Sequence, residues 1–173
     1  MNECKCSENN WTRVAVFAGG DRGHYRTNFD CFVGVDRGSL WVLEEDLPLA
    51  LAVGDFDSVT ADERQLIQKR ALRFVQVQPE KDDTDLELAL LTIFEQNSQA
   101  QVTIFGALGG RIDHMLANVF LPSSPKLAPY MRQIAIEDGQ NVIAYCPEGT
   151  SQLEPRSDYD YLAFMPVRDS QLT

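Results

Sequence analysis

The sequence predicts an α/β protein, in which a mostly parallel sheet flanked by helices is followed by a smaller antiparallel β unit that we expect to be an incomplete β-sandwich. Three observations lead to this fold class. Five short apolar runs recur between residues 14 and 105. Helical patterns alternate with these runs, as they do in parallel sheets. From residue 133 onward the helical periodicity stops.

The five apolar runs predict the strands of the parallel sheet. Each run is four or five residues long, nearly continuous, and partly β-branched or aromatic. That composition is typical of strands that are buried on both faces. The runs cover residues 14–18, 31–35, 49–53, 74–77 and 102–105.

Three helices are predicted among these strands. Thr60 and Thr84 are each followed three residues later by Glu, the capping-box pattern, and open helices that extend to about residues 71 and 96. The third helix covers about residues 112–120. Apolar residues at i, i+4, i+7 and i+8 predict a core-facing stripe on the second and third helices. The stripes are Leu86, Leu90, Ile93 and Phe94, and Ile112, Leu116, Val119 and Phe120.

The antiparallel unit is predicted from the last third of the chain. Residues 134–136 and 142–145 flank an Asp-Gly pair, which favours a hairpin turn, and residues 159–167 are a third strand candidate. Three prolines between residues 122 and 129 mark the change of pattern. We therefore expect a flexible leader (1–12), an α/β domain (13–132) and the start of an antiparallel domain (133–173).

Composition excludes several classes of function. Acidic residues outnumber basic ones by 26 to 15, which gives a formal net charge of −11. Because nucleic-acid binding depends on phosphate neutralisation by Lys and Arg, this charge argues against it. No apolar stretch approaches the roughly 18–20 residues of a membrane-spanning helix, and the first residues lack the apolar core of a secretory signal. The four cysteines include no Cys-x-x-Cys pair, so we expect a reduced, cytoplasmic protein.

Acidic residues gather where the predicted strands end. In an open α/β sheet, ligands bind outside the carboxyl ends of the strands. Carboxylates gathered there repel one another unless a hard cation is bound, and Mg²⁺ is usually held by one or two carboxylates together with substrate phosphates. The predicted ligands follow the third and fourth strands and are Asp55, Asp57, Asp82 and Asp85. Taken singly, these acids also fit simple turn and helix-capping roles.

A second group of site residues surrounds the start of the third helix. Gly109 and Gly110 would expose backbone N–H groups that suit an anion. Arg111 stands at the helix end that disfavours cations, which indicates another purpose such as pairing with a phosphate. Arg111, His114 and Asn118 share one helix face. That face could also be an ordinary solvated surface.

Four segments of this sequence resemble, in the same order, the motifs of the thiamin pyrophosphokinase family. They are Asp36-Arg37-Gly38-Ser39, Gly54-Asp55-Phe56-Asp57-Ser58, Lys81-Asp82-Asp83-Thr84-Asp85-Leu86-Glu87, and Gly109-Gly110-Arg111-Ile112-Asp113-His114 followed by Asn118. The resemblance implies transfer of a pyrophosphoryl group from ATP to the hydroxyl of thiamin, with AMP as the other product. It also implies Mg²⁺, an ATP-binding α/β domain, and a β-sandwich that completes a homodimer.

The resemblance and the chemistry of the residues together assign roles. Asp55, Asp57, Asp82 and Asp85 would hold Mg²⁺ and the polyphosphate, and one of them could accept the hydroxyl proton. The nucleotide-binding residues would be Asp36, Ser58, Lys81, Thr84, Gly109, Gly110, Arg111, Asp113, His114 and Asn118.

Three other functions fit part of the pattern. A metal-dependent phosphohydrolase could use an Asp-x-Asp pair with one Asp as the nucleophile. A nucleotide-binding module without catalytic activity would keep the same phosphate-binding residues. A structural Ca²⁺ cluster is less favoured, because no EF-hand spacing is visible.

Overall fold

The computed structural model describes residues 11–21, 23–77, 83–153 and 158–167. Within these residues seven strands form one sheet in the order β4-β3-β2-β1-β5-β6-β7. The strands are β1 (Arg13–Phe17), β2 (Cys31–Val35), β3 (Leu49–Gly54), β4 (Arg73–Gln76), β5 (Gln101–Phe105), β6 (Ile134–Glu137) and β7 (Val142–Ala144). The helices are α1 (Gly38–Glu44), α2 (Ala61–Arg70), α3 (Asp85–Gln96) and α4 (Ile112–Phe120), with short 3-10 turns at Leu121–Ser123 and Ala128–Gln133.

The sheet is parallel from β4 through β6, and only β7 runs antiparallel to its neighbour. Strand β1 lies in the middle, with β2 on one side and β5 on the other. The chain adds β2, β3 and β4 in one direction and then returns to place β5 on the opposite side of β1. The order therefore reverses between β1 and β5, and the carboxyl ends of these two strands are the place where ligands generally bind in such sheets. This arrangement confirms the predicted fold class.

Two apolar cores cover the two faces of the sheet. Val14 and Val16 of β1 point into one core, and Ala15 and Phe17 point into the other, as alternation along a strand requires. Helix α3 covers the first face with its predicted stripe, of which Leu90 and Ile93 are fully buried. Helices α1 and α2 cover the second face. No helix in the described part of the chain is both long and apolar enough to cross a membrane.

The predicted core-facing stripe of α4 is wrong for most of its members. Only Val119 is buried, whereas Ile112 is 70% exposed and Leu116 and Phe120 are each more than 40% exposed. The spacing correctly gave one apolar face, but α4 follows β5 and, apart from Val119, this face stays exposed.

The predicted hairpin is present as β6 and β7, with Ile136 opposite Ile143. These strands extend the main sheet, however, because β6 pairs in parallel with β5. The third strand candidate of the antiparallel unit is absent, since residues 159–167 contain no strand and their apolar side chains, such as Tyr161 and Phe164, are exposed. The division into domains at residue 133 stays a prediction, and residues 1–10 of the predicted leader (1–12) lie outside the described residues.

The described cysteines differ from each other. Cys31, at the buried start of β2, is disulfide-bonded, in contrast to the reduced state that we expected. Cys146 is free and exposed.

Candidate active site

The carboxyl ends of the central strands bring four connections together. The segment that follows β1 contacts the loop after β5, where the Gly20 N–H donates to the Gly106 carbonyl at 3.0 Å. The loop after β2 reaches the loop after β3, where an Arg37 N–H donates to the Ser58 carbonyl at 3.3 Å. Since all these strands are parallel, every one of these loops lies at the same edge of the sheet.

Three carboxylates meet at this edge and form a candidate cation site, which we call the carboxylate cluster: Asp36, Asp55 and Asp85. One oxygen of each lies within 4.8 Å of the others, and all three side chains are partly buried. Asp36 follows β2, Asp55 follows β3, and Asp85 opens α3. Oxygen donors of this kind suit a hard cation such as Mg²⁺.

Local backbone geometry turns Asp36 into the cluster. Its φ of 48° is left-handed, a conformation that Asp adopts more readily than most residues. The Asp36 carboxylate accepts the N–H of Phe56 at 3.2 Å, and Phe56 also has a left-handed φ of 59°. A side chain at Gly54 would collide with the Asp36 carboxylate, because its Cβ would lie 2.0 Å from Oδ1. Glycine at this position therefore lets the carboxylate reach the site.

The electrostatics of the cluster favour a cation. Burial raises the pKa of Asp36 from 3.8 to about 7; the Phe56 N–H opposes this shift, and the charges of Asp85 and Asp55 add to it. A positive ion between the three groups would remove this repulsion and keep Asp36 ionised. The donor set therefore fits Mg²⁺.

A glycine loop lies beside the cluster, after β5, and comprises residues 106–110. Gly106, Gly109 and Gly110 all have left-handed φ values, between 68° and 83°. No atom lies within 4 Å of the position that a Gly110 side chain would occupy, so the backbone there is open to a ligand. Exposed N–H groups in such a loop, before the N-terminus of α4, favour phosphate oxygens.

The predicted residues of α4 divide into two groups. The Arg111 guanidinium forms two hydrogen bonds with the Asp113 carboxylate, at 3.1 and 2.6 Å, and both side chains are mostly exposed. This pairing lowers the pKa of Asp113. His114 is also exposed at the same rim. Asn118 instead donates to the Ala107 carbonyl at 3.1 Å, so it anchors the glycine loop to α4.

The remaining predicted residues lie around the cluster. Thr84 caps α3 by accepting the Glu87 N–H at 3.1 Å, which fixes the first turn of the helix that carries Asp85. Asp57 and Ser58 are exposed, and the Asp57 N–H donates to Asp55 at 3.0 Å. Among the described residues the cluster contains Asp36, which we had placed with the nucleotide, and does not contain Asp57. Lys81 and Asp82 lie outside the described residues.

Sequence reasoning assigned no role to Asp21, which follows β1. Its carboxylate lies 3.2 Å from the position that a Gly109 side chain would occupy, and therefore lines the glycine loop. The signal was the Gly19-Gly20-Asp21 run at a strand end, but only the three-dimensional structure shows which loop it faces.

Fold and site together define the class of the protein as an α/β protein with a carboxylate cluster and a glycine loop at its strand switch point. Comparison with known proteins gives the family. The model of the thiamin pyrophosphokinase catalytic domain matches residues 23–129. Thiamine pyrophosphokinase from Bacillus subtilis is 35% identical over 162 residues, which cover 90% of this chain and 74% of that protein.

Solved structures agree with this result. A thiamin pyrophosphokinase family protein from Enterococcus faecalis is 46% identical and has a TM-score of 0.76, covering 80% of this chain and 67% of that one. Thiamine pyrophosphokinase from Bacillus subtilis has a TM-score of 0.59 at 34% identity, covering 76% of this chain and 62% of that one. The chain thus spans about two-thirds or less of the length of these solved relatives. It belongs to the thiamin pyrophosphokinase family, which confirms the resemblance drawn from its motifs.

Proposed function

We propose that this chain is an enzyme that transfers a pyrophosphoryl group from Mg-ATP to the hydroxyl of thiamin. The hydroxyl oxygen attacks the β-phosphorus, the bond between that phosphorus and the α,β-bridging oxygen breaks, and AMP leaves with the bridging oxygen. The observation that carries the proposal is the carboxylate cluster beside a glycine loop at the switch point of the sheet. Reactions of this type need positioning and charge stabilisation more than covalent catalysis.

The carboxylate cluster would hold the metal. Asp55 and Asp85 are the principal ligands in this proposal, and Asp36 joins them because its carboxylate lies in the same group. Bound Mg²⁺ supplies positive charge that neutralises the phosphate oxygens in the transition state. We keep Asp57 and Asp82, predicted from the motifs, in the proposed metal-binding group, although Asp82 lies outside the described residues.

The nucleotide would lie across the switch point. Its phosphates would contact the open backbone at Gly109 and Gly110, and Arg111 would exchange its bond with Asp113 for a phosphate oxygen. Because both partners of that ion pair are exposed, exchanging it costs little. The other proposed nucleotide contacts are Ser58, Lys81, Thr84, Asp113, His114 and Asn118.

The acceptor would approach the acidic side of the edge. Thiamin is a cation, and the local carboxylates and the net charge of −11 favour a positively charged alcohol over a neutral one. A carboxylate of the cluster that is free of the metal would accept the hydroxyl proton. We further propose a homodimer through the C-terminal region, supported by the exposed apolar side chains of residues 161–167, and action in the cytoplasm, where Mg-ATP is abundant.

The test is the joint formation of AMP and thiamin diphosphate from thiamin and Mg-ATP by the chain as it stands. We expect equal amounts of the two products, dependent on thiamin and abolished by EDTA. A reaction without thiamin serves as the control. Phosphate release without thiamin would indicate a phosphohydrolase, and nucleotide binding without AMP would indicate a binding module, so either result would contradict the proposal.

A further inference from the structure

A partly buried ion pair links the connection that follows β1 to the end of β6. The Arg26 guanidinium donates two hydrogen bonds to the Glu137 carboxylate, from Nε at 3.0 Å and from Nη2 at 2.7 Å. The Glu137 side chain is 7% exposed, whereas that of Arg26 is 43% exposed. Among the described residues, Glu137 is the only acidic or basic residue that is buried. We call this pair the Arg26–Glu137 brace.

Packing alone does not explain why an ion pair stands at this position. A buried carboxylate is tolerated only with a well-oriented partner, and apolar residues of similar volume often stabilise a fold equally well. The bidentate geometry fixes both the position and the direction of the guanidinium. The same guanidinium lies 5.5 Å from the centre of the Phe29 ring, which adds a cation–π contact. These contacts hold the connection in one orientation.

Aromatic contacts hold the same connection against the ends of the central strands. The Tyr25 ring contacts the Phe17 ring edge-on at the end of β1, with 5.3 Å between the ring centres. The Phe29 ring meets the Phe105 ring edge-on at 5.8 Å, at the end of β5. The turn after β6 also approaches it closely, since a side chain at Gly139 would lie 3.1 Å from Cβ of His24. The connection is thus held over the switch point.

The first residues of this connection, Gly20 and Asp21, pack against the glycine loop. The Gly20 N–H donates to the Gly106 carbonyl, and a Cβ on Gly20 would lie 2.4 Å from that carbonyl oxygen. The Asp21 carboxylate lies against Gly109. Any movement of the connection away from β6 would therefore move the surface against which the glycine loop rests.

We propose that Arg26 and Glu137 are positioning residues, whose ion pair holds the connection after β1 against the glycine loop and so preorganises that loop for the phosphates of ATP. The inference rests on the proposed function for the identity of the ligand. The ordering of the loop by the brace is independent of catalysis.

The test compares Glu137→Gln with the unsubstituted chain by two measurements. First, hydrogen exchange in the ligand-free protein is followed at Gly20 and over residues 105–111. We expect about tenfold faster exchange there and no change in β3. Second, steady-state kinetics should give about a tenfold higher KM for Mg-ATP, with the KM for thiamin within about twofold of the original. Arg26→Lys keeps the charge but loses the bidentate geometry. Its loop exchange rate and its KM for Mg-ATP should lie between those of the unsubstituted chain and Glu137→Gln.

The chain offers a matched control at the opposite edge of the sheet. Arg13 and Asp30 also form a bidentate pair, at 3.2 and 3.0 Å, between β1 and the far end of the same connection. Asp30→Asn should leave the KM for Mg-ATP and the exchange of the glycine loop unchanged. Equal effects from both substitutions would overturn the inference, because they would indicate general destabilisation.

A double substitution covers the case in which Glu137→Gln does not fold. Arg26→Met with Glu137→Met removes both charges and keeps apolar bulk, which buried pairs commonly tolerate. A folded double variant with faster loop exchange and a raised KM for Mg-ATP would support the inference. Exchange and KM within twofold of the original would overturn it. If the unsubstituted chain formed no thiamin diphosphate, the proposed function would fail, while the exchange data would still decide whether the brace orders the loop.

Discussion

The carboxylate cluster shows how single residues produce a candidate cation site. Their carboxylates lie close together although they follow three different strands, and burial, with a smaller contribution from the charges of Asp85 and Asp55, raises the pKa of Asp36. Without a cation, the folded chain therefore carries an unfavourable electrostatic interaction at this edge. Removing one of the three charges should reduce this repulsion and should also prevent cation binding.

Asp55→Asn tests the metal assignment by removing the charge of one carboxylate. We expect kcat for thiamin diphosphate formation to fall by at least about 100-fold, because a charged metal ligand is lost. The melting temperature should stay equal or rise, since the repulsion is reduced. Both are measured on the purified variant, by product assay and by thermal unfolding.

Asp46→Asn is the matched control for that experiment. Asp46 has a left-handed φ of 52°, like Asp36, but it follows α1 at the opposite edge of the sheet. Asn tolerates this conformation as well as Asp does. Near-normal kcat is expected for Asp46→Asn; near-normal kcat for Asp55→Asn would contradict the metal assignment.

Sequence reasoning placed two of the three members of the carboxylate cluster in one predicted metal site and the third elsewhere. Asp55 and Asp85 were predicted as metal ligands from their motifs and both lie in the carboxylate cluster. Asp36 was assigned to the nucleotide because nothing in the local pattern reveals its left-handed turn toward Asp55. Glu137 was treated only as part of a hairpin, since the partner that explains its burial is 111 residues away.

At the scale of helices, identical spacing produced different outcomes. Leu90 in α3 and Leu116 in α4 both belonged to a predicted core-facing stripe. Leu90 is fully buried against the sheet, whereas Leu116 is 44% exposed. Periodicity shows that a helix has an apolar face, but it does not show whether a sheet lies beneath that face.

The two leucines therefore make a direct test. Leu90→Ala should lower the free energy of unfolding by about 2–5 kcal/mol, because it leaves a cavity in the core. Leu116→Ala should change it by less than about 0.5 kcal/mol, as exposed substitutions usually do. Urea unfolding of both variants measures the difference. A large loss for Leu116→Ala would mean that another surface covers α4 in solution.

Helix caps provide a second comparison. Thr60 and Thr84 each accept the N–H of a Glu three residues later, at 3.3 and 3.1 Å. Substituting either by Ala should cost about 1 kcal/mol of stability. Thr84→Ala should in addition weaken Mg²⁺ activation about tenfold, because Asp85 lies in the first turn of α3. Titration of activity with Mg²⁺ checks this; an equal loss in Thr60→Ala would show that the effect is only one of stability.

Strand pairing marks another limit of sequence reasoning. The Asp-Gly turn correctly predicted that β6 and β7 pair with each other. It carried no information about the other side of β6, which pairs with β5, 29 residues or more away in the chain. Hairpin signals are local, whereas the position of a hairpin in a sheet depends on distant partners.

For the molecule as a whole, the strand order decides where chemistry can occur. The strand order reverses between β1 and β5, and the connections from β1, β2, β3 and β5 meet at the carboxyl edge of these strands. The acids of this edge contribute to a net charge of −11. A cation that binds them in the folded chain should therefore raise the free energy of unfolding of the whole protein.

The pH dependence of stability follows from Asp36. Its pKa is raised from 3.8 to about 7 in the folded protein. Between these values the folded chain keeps a proton that the unfolded chain has lost, so the free energy of unfolding should fall as pH rises from about 4 to 7. Asp36→Asn should remove this contribution, and Asn accepts the left-handed backbone at this position.

Magnesium should offset this loss of stability at pH values where Asp36 is ionised. At pH 8, Mg²⁺ at 100 times its Kd should add about 2.7 kcal/mol to the free energy of unfolding. At pH 5 the same concentration should add much less, because Mg²⁺ must then displace the Asp36 proton. Urea unfolding at both pH values, with Mg²⁺ or with EDTA, measures the four free energies. If Asp36→Asn kept the full pH dependence, or if Mg²⁺ stabilised the protein equally at both pH values, Asp36 would not be the group that links metal binding to the fold.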